Sequence, residues 1–171
     1  MTAVVVADAG PLIGLARIDR LSVLASLYGF VLVPELVLAE LRVDSDRPGA
    51  RALSAALDQG AIRKQALSEH SATELARLGL LLDAGEASAI LLAEQTKCRF
   101  LLVDERRGRQ IARARGIPVV GLAGVLLAAK RSGLLASVAP ALADLSLEGY
   151  RLSDALVSEV LRLAGEPESG G

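Results

Sequence analysis

Short runs of consecutive apolar residues alternate along the chain with longer segments that carry apolar residues at helical spacing. Unbroken apolar runs are typical of strands buried on both faces, as in parallel sheets. They predict strands over 3–7, 30–33, 99–103 and 119–120, and an edge strand over 61–66. The helical segments predict helices over 21–27, 34–43, 50–58, 71–82, 83–96, 105–115 and 122–131. This alternation predicts an α/β fold with a parallel sheet flanked by helices.

The end of the chain has the pattern of a helical appendage. Ser153 is a suitable N-cap, and the apolar residues that follow it share one helical face. That face needs a partner, which is either the chain's own sheet or a second subunit. We therefore expect a core over 1–133, a helical extension of the same domain over 134–165, and a flexible tail over 166–171.

Composition narrows the function classes. Of the 171 residues, 52% are hydrophobic, which excludes intrinsic disorder, and the single cysteine excludes a disulfide scaffold. Only 2% are aromatic, so a base-stacking platform is not expected. With a net charge of −1, any nucleic-acid binding must come from a local patch.

The uncharged runs are shorter than the about 20 residues of a membrane span, and the first residues lack a signal-peptide pattern. We therefore expect a cytoplasmic protein.

Two aspartates stand where apolar strands end. Asp8 follows the first predicted strand and Asp104 follows a later one. In open parallel sheets, ligands bind beyond the carboxyl ends of the strands, so the two acids converge if their strands are neighbours. The alternatives are a turn or helix cap for Asp8, before Gly10 and Pro11, and the N-cap of the following helix for Asp104.

Two glutamates lie in strongly apolar helical surroundings. Glu40 has apolar neighbours on nearly every helical angle, which places it at the margin of a buried helix or in a site. Glu86 begins an almost wholly apolar helix, so we expect it near the sheet. The alternative for Glu86 is a capping box with Asp83, three residues before it.

Clustered carboxylates favour a divalent cation. Several like charges in a low dielectric raise one another's pKa values, and a cation relieves that repulsion. Oxygen ligands suit Mg²⁺ or Mn²⁺, and these ions support phosphodiester hydrolysis by activating water and stabilising the leaving oxygen. If Asp8, Glu40, Glu86 and Asp104 come together in the fold, they are therefore candidates for such a metal site.

Other catalytic chemistries find little support. The only histidine, His70, lies in a polar stretch that suits a solvated or capping role, and Cys98 begins a buried strand. Zinc sites need several cysteine or histidine ligands, which this chain lacks. A phosphate-binding glycine loop is also missing.

A local group of arginines follows Asp104. At helical spacing, Arg106, Arg109 and Arg113 fall in one narrow sector of the helix predicted over 105–115. Arginine forks match phosphate geometry, so this stripe is a candidate RNA-binding surface. The alternative is an ordinary solvated helix face, partly paired with Glu105.

The ordered set of acids resembles the PIN-domain nucleases. The segments that carry the likeness are V-A-D-A-G-P-L-I over 6–13, D-A-G-E-A over 83–87, L-V-D-E-R-R over 102–107, G-I-P-V-V-G over 116–121 and Y-R-L-S-D over 150–154. Together they resemble a VapC-related PIN subfamily over roughly residues 3–166.

This resemblance implies a three-layer α/β/α fold and Mg²⁺- or Mn²⁺-dependent endoribonuclease activity. It implies that the four acids are catalytic and bind the metal, with Glu105 as an accessory ligand or as a favourable charge at a helix start. It also implies the toxin half of a toxin–antitoxin pair, a small antitoxin protein as partner, and a homodimer. Members often carry Ser or Thr where this chain has Gly10, which removes one hydroxyl near the metal.

Three hypotheses follow, in order of preference. The first is a metal-dependent ribonuclease. The second is a non-catalytic PIN-fold module that binds nucleic acid or protein, and Gly10 is the residue that favours it. The third is a receiver-like signalling domain, which would need paired acids after the first strand and a lysine at a late strand end. Asp8 is followed by Ala9, and Lys130 lies in a predicted helix, so this hypothesis ranks last.

Overall fold

A computed structural model describes residues 3–168, and its centre is a parallel sheet of five short strands. The strands are β1 (Val5–Ala7), β2 (Val31–Val33), β3 (Ile62–Lys64), β4 (Phe100–Leu102) and β5 (Val119–Val120). Their order across the sheet is β3-β2-β1-β4-β5, and every neighbouring pair is parallel. The predicted α/β fold with a central parallel sheet is therefore confirmed.

Helices connect the strands and flank the sheet. In chain order they are α1 (Ala9–Arg17), α2 (Ser22–Tyr28), α3 (Glu35–Leu41), α4 (Ala50–Asp58), α5 (Ala72–Leu78), α6 (Ala84–Thr96), α7 (Arg106–Ala114), α8 (Leu122–Arg131), α9 (Ala139–Leu147) and α10 (Asp154–Ala164). A short 3₁₀ turn over Glu69–Ser71 precedes α5. Among residues 3–168, no helix is both long and apolar enough to cross a bilayer.

The apolar runs of the sequence fill the middle of the sheet. Every residue of β1, β2 and β4 is buried, because both faces of these strands are covered. Helix α6 packs on β1 and β4 and buries nine consecutive residues, Gly85–Ala93. It therefore lies against the strands that carry Asp8 and Asp104, and it brings its own first turn to the same edge of the sheet.

Helix α1 was not expected. Asp8-Ala9-Gly10-Pro11 has the pattern of a turn, and the helix begins inside it. Proline is tolerated there because the first N–H groups of a helix have no intrahelical acceptor. As a result, Asp8 stands at the junction between a buried strand and a helix start.

The C-terminal extension packs on the chain itself. Helix α10 contacts α8 and buries Val160 and Leu161, so its apolar face meets its own domain rather than requiring a second subunit. Ser153 caps α10 by accepting from the backbone N–H of Leu156 at 3.2 Å, as predicted. The division into core, extension and tail stays a prediction.

The predicted tail begins at a residue that is firmly held. The Glu166 carboxylate accepts from the Lys130 ammonium at 2.8 Å and from the backbone N–H groups of Val138 and Ala139 at 2.8 and 3.0 Å. These contacts tie the end of α10 to α8 and to the start of α9. Residues 169–171 of the predicted tail lie outside the described residues.

Candidate active site

A cleft of about 690 Å³ opens beyond the carboxyl ends of the strands. Strands β1 and β4 are hydrogen-bonded neighbours, with Ala7 opposite Leu102, so the acids that follow them leave the sheet side by side. The strand order reverses at this pair, and such switch points are where open α/β sheets form ligand crevices. Five acidic side chains line the cleft: Asp8, Glu40, Asp83, Glu86 and Glu105.

Asp8 is one of the two buried acids of the cleft. Its backbone N–H donates to the carbonyl oxygen of Leu102 at 2.9 Å, which continues the ladder between β1 and β4. Its side chain is 7% exposed, it makes no side-chain capping hydrogen bond to α1, and its Oδ1 has no hydrogen-bond partner. Burial above all, and then the carboxylates of Asp83, Glu40 and Asp104, raise its pKa to about 7.

Glu86 is the second buried acid of the cleft. It lies in the first turn of α6, is 8% exposed, and its Oε1 also has no partner. Burial first, followed by the charges of Asp83 and Asp8, raises its pKa to about 7. A Cβ at position 108 would lie 3.3 Å from this Oε1, so Gly108 gives the carboxylate its space.

Asp83 holds the start of α6. Its Oδ1 accepts from the backbone N–H of Glu86 at 2.8 Å, which is the capping interaction that the spacing suggested. The same side chain also lines the cleft, and its charge raises the pKa of Glu86 and of Asp8. The capping role and the position in the acidic cleft are therefore compatible. The backbone N–H of Glu86 takes part in the cap, and the residue also lines the cleft.

Glu40 reaches the cleft from α3. It is exposed at the rim, and partial desolvation of its carboxylate, followed by the charge of Asp83, raises its pKa. A Cβ at position 85 would collide with its carboxylate, so Gly85 leaves the space in which Glu40 lies against the start of α6. The glycine of the D-A-G-E segment thus makes room for an acid from another helix.

Asp104 lies at the same edge of the sheet but is not among the residues that line the cleft. Its carboxylate accepts from the backbone N–H of Leu122, with Oδ1 at 3.0 Å, and from the hydroxyl of Tyr150. Burial raises the Asp104 pKa, while Tyr150, Leu122 and Arg109 oppose that rise. The expected alternative, an N-cap of the following helix, is wrong, since Glu105 is the N-cap residue of α7. Asp104 instead contacts the start of α8.

The predicted arginine stripe lies beside the cleft rather than in its lining. Arg106 and Arg113 are exposed on α7, whereas the half-buried Arg109 donates to the carbonyl oxygen of Val103 at 2.8 Å. The cations that do line the cleft are Arg42 and Arg47, between α3 and α4. Sequence analysis missed this pair because the loop over 44–49 has no helical periodicity to reveal a shared face.

The donor set of the cleft fits a hard divalent cation. Its charged ligands are carboxylate oxygens, and the two buried oxygens without partners, Asp8 Oδ1 and Glu86 Oε1, are the atoms for which a cation would compensate. Within residues 3–168, no three His, Cys, Asp or Glu side chains have donor atoms gathered as they would be around an ion.

Comparison with known proteins supports the resemblance to the PIN-domain family. A protein-family model described as PIN domain matches residues 4–166 of the chain. Among curated proteins, a search found no match.

Asp8→Asn tests whether the buried carboxyl destabilises the metal-free protein. Folding raises the Asp8 pKa from an ordinary 3.8 to about 7, so the folded state binds this proton more tightly. The contribution of the protonated Asp8 carboxyl to the stability of the folded state is therefore fully present below about pH 4, and it is lost as the pH rises toward about 7. In EDTA at pH 8, Asp8→Asn should raise the free energy of unfolding by about 1–3 kcal/mol, with little change at pH 4.

Urea denaturation across this pH range measures the effect. The matched control is Asp144→Asn, because Asp144 is exposed on α9, away from the cleft. The control should follow wild type at every pH. An Asp8→Asn protein that is less stable than wild type at pH 8 would contradict the electrostatic account.

Proposed function

The chain belongs to the PIN domain family, and from this premise and its acidic cleft we propose that it is a metal-dependent endoribonuclease. The PIN domain suggests a nuclease-type function in general. The observation that carries the finer proposal is the pair of buried carboxylate oxygens without partners, Asp8 Oδ1 and Glu86 Oε1, in one cleft. Buried charges of this kind are costly unless a cation compensates them.

We assign the metal-holding role to four acids: Asp8, Glu40, Glu86 and Asp104. Mg²⁺ or Mn²⁺, when bound, supplies an activated water and neutralises charge on the leaving oxygen. Asp8 and Glu86 provide the buried oxygens, Glu40 closes the rim from α3, and Asp104 stands at the end of the neighbouring strand. Glu105 lines the same cleft and is assigned as an accessory acid.

The substrate assignment to RNA combines the family resemblance with the charges around the cleft. Arg42 and Arg47 line the cleft itself, and Arg106 and Arg113 extend the basic surface along α7. One guanidinium nitrogen of Arg109 donates to the carbonyl oxygen of Val103, so Arg109 also contacts the chain directly after β4. Because only 2% of the residues are aromatic, recognition through the sugar–phosphate backbone fits this chain better than base stacking.

The biological setting is proposed from the resemblance alone. We propose the toxin half of a toxin–antitoxin pair, acting in the cytoplasm as a homodimer and inhibited by a small antitoxin protein. The second candidate function is a non-catalytic PIN-fold module that binds nucleic acid or protein. Gly10 favours it, and so does the position of Asp104 outside the residues that line the cleft.

An RNA cleavage assay with and without Mn²⁺ separates these two functions. Wild type and Asp144→Asn should cleave a single-stranded RNA in Mn²⁺ and fail in EDTA. Asp8→Asn and Asp104→Asn should each lose at least about 100-fold in rate, because removing a ligand of a catalytic metal removes transition-state stabilisation. Cleavage in EDTA, or full activity of either variant in Mn²⁺, would contradict the proposed mechanism. RNA binding without any cleavage by wild type would favour the second candidate.

Salt dependence of RNA binding tests the basic rim. In EDTA, Arg42→Gln and Arg47→Gln should each weaken RNA binding and lower the slope of log affinity against log salt by about 0.7, the value for one phosphate contact on a single strand. Arg20→Gln, an exposed arginine outside the cleft, should leave the slope unchanged. Unchanged slopes for both cleft variants would remove Arg42 and Arg47 from the binding surface.

A further inference from the structure

We propose that Tyr150 is a positioning residue for Asp104, so that the C-terminal extension completes the metal-binding site. The proposal rests on the proposed function, since it concerns the same acidic site. Tyr150 lies between α9 and α10, far from the acids in sequence, and its hydroxyl donates to Oδ2 of Asp104. This is the contact by which the extension reaches one of the four proposed catalytic acids.

The Asp104 carboxylate is held from two sides. The backbone N–H of Leu122, at the start of α8, lies 3.0 Å from Oδ1 and 3.3 Å from Oδ2, and the Tyr150 hydroxyl contacts Oδ2. An ionised carboxylate can accept about four hydrogen bonds, so these donors fix its orientation without exhausting its acceptor capacity. Asp104 is therefore oriented by groups outside the cleft while it keeps capacity for a ligand.

Two glycines, Gly14 and Gly121, make this arrangement sterically possible. A Cβ at position 14 would lie 2.9 Å from Cε2 of Tyr150, so the ring packs directly on the backbone of α1. A Cβ at position 121 would lie 2.5 Å from Oδ1 of Asp104, which shows how closely the carboxylate approaches the start of α8. At position 10 the nearest atom to a Cβ would be the Tyr150 hydroxyl, at 3.9 Å. The hydroxyl thus lies between the helix that follows Asp8 and the acid that follows β4.

The position of the ring is fixed independently of Asp104. The backbone N–H of Tyr150 donates to the carbonyl oxygen of Leu145 at 2.9 Å, which anchors the residue to the end of α9. Tyr150 also packs against the apolar core. A hydroxyl presented from such a fixed ring can select one orientation of a carboxylate. Groups that orient a metal ligand in this way typically contribute 10–100-fold to metal affinity.

Metal affinity of Tyr150→Phe tests the proposal directly. The substitution removes the hydroxyl and keeps the ring, and calorimetry with Mn²⁺ should show a dissociation constant raised about 10–100-fold. The control is Tyr28→Phe, because Tyr28 is the only other tyrosine and packs edge-on against Phe100, away from the acids. The control should bind Mn²⁺ like wild type. If Tyr150→Phe also binds like wild type, the positioning role is overturned while the proposed function stands.

A double-mutant cycle separates positioning from a general structural role. If Tyr150 acts through Asp104, the hydroxyl deletion should have no further effect on Mn²⁺ affinity in an Asp104→Asn background. An equal loss in both backgrounds would mean that Tyr150 acts by another route, and would overturn the proposal. Failure of wild type itself to bind Mn²⁺ would overturn the proposed function and this inference together.

Tyrosine emission gives a readout at the residue itself. The chain has no tryptophan, so Tyr28→Phe leaves Tyr150 as the only tyrosine. In this variant, Mg²⁺ should change the Tyr150 emission along the same saturation curve that calorimetry with Mg²⁺ gives, because the hydrogen bond to Asp104 responds to the charge on that carboxylate. Emission that stays constant through saturation would contradict a link between Tyr150 and the metal site.

Discussion

The arrangement depends on the burial of two carboxylates, Asp8 and Glu86, at one edge of the sheet without hydrogen-bond partners for one oxygen of each. Burying such oxygens costs free energy, and the charge of Asp8 also raises the pKa of Glu86. Neighbouring residues hold these carboxylates in place despite this unfavourable free energy. Asp83 fixes the helix start that carries Glu86, while Gly85 and Gly108 provide the space that Glu40 and Glu86 occupy.

The fold explains how a small aliphatic protein keeps such a site. Strands β1, β2 and β4 and helix α6 fill the interior with Val, Leu, Ile and Ala, so the sheet edge is closely packed where the acids leave it. The net charge of −1 is the sum of opposed local charges: five acids and two arginines, Arg42 and Arg47, line the cleft, and further arginines lie along α7. This mixture suits a phosphate backbone that must approach carboxylates through a bound cation.

Much of this could be predicted from the sequence, for identifiable reasons. Unbroken apolar runs predicted the strands. Asp8 and Asp104 each follow one of these strands, so their convergence could be predicted on the single condition that β1 and β4 are neighbours, as they are. Helix α1 was missed because Gly10 and Pro11 are typical of turns. Tyr150 was missed as a site residue because its contact with Asp104 depends on how the extension packs, and local periodicity carries no such information.

Proton release on metal binding tests the central claim most directly. If Asp8 and Glu86 are the buried acids that a cation compensates, Mn²⁺ must displace the protons that their raised pKa values retain near neutral pH. Titration calorimetry of wild type in buffers with different ionisation enthalpies counts those protons. The account predicts proton release on Mn²⁺ binding at pH 6 that fades by about pH 8.5. Binding without proton release at pH 6, or no binding at any pH, would contradict it.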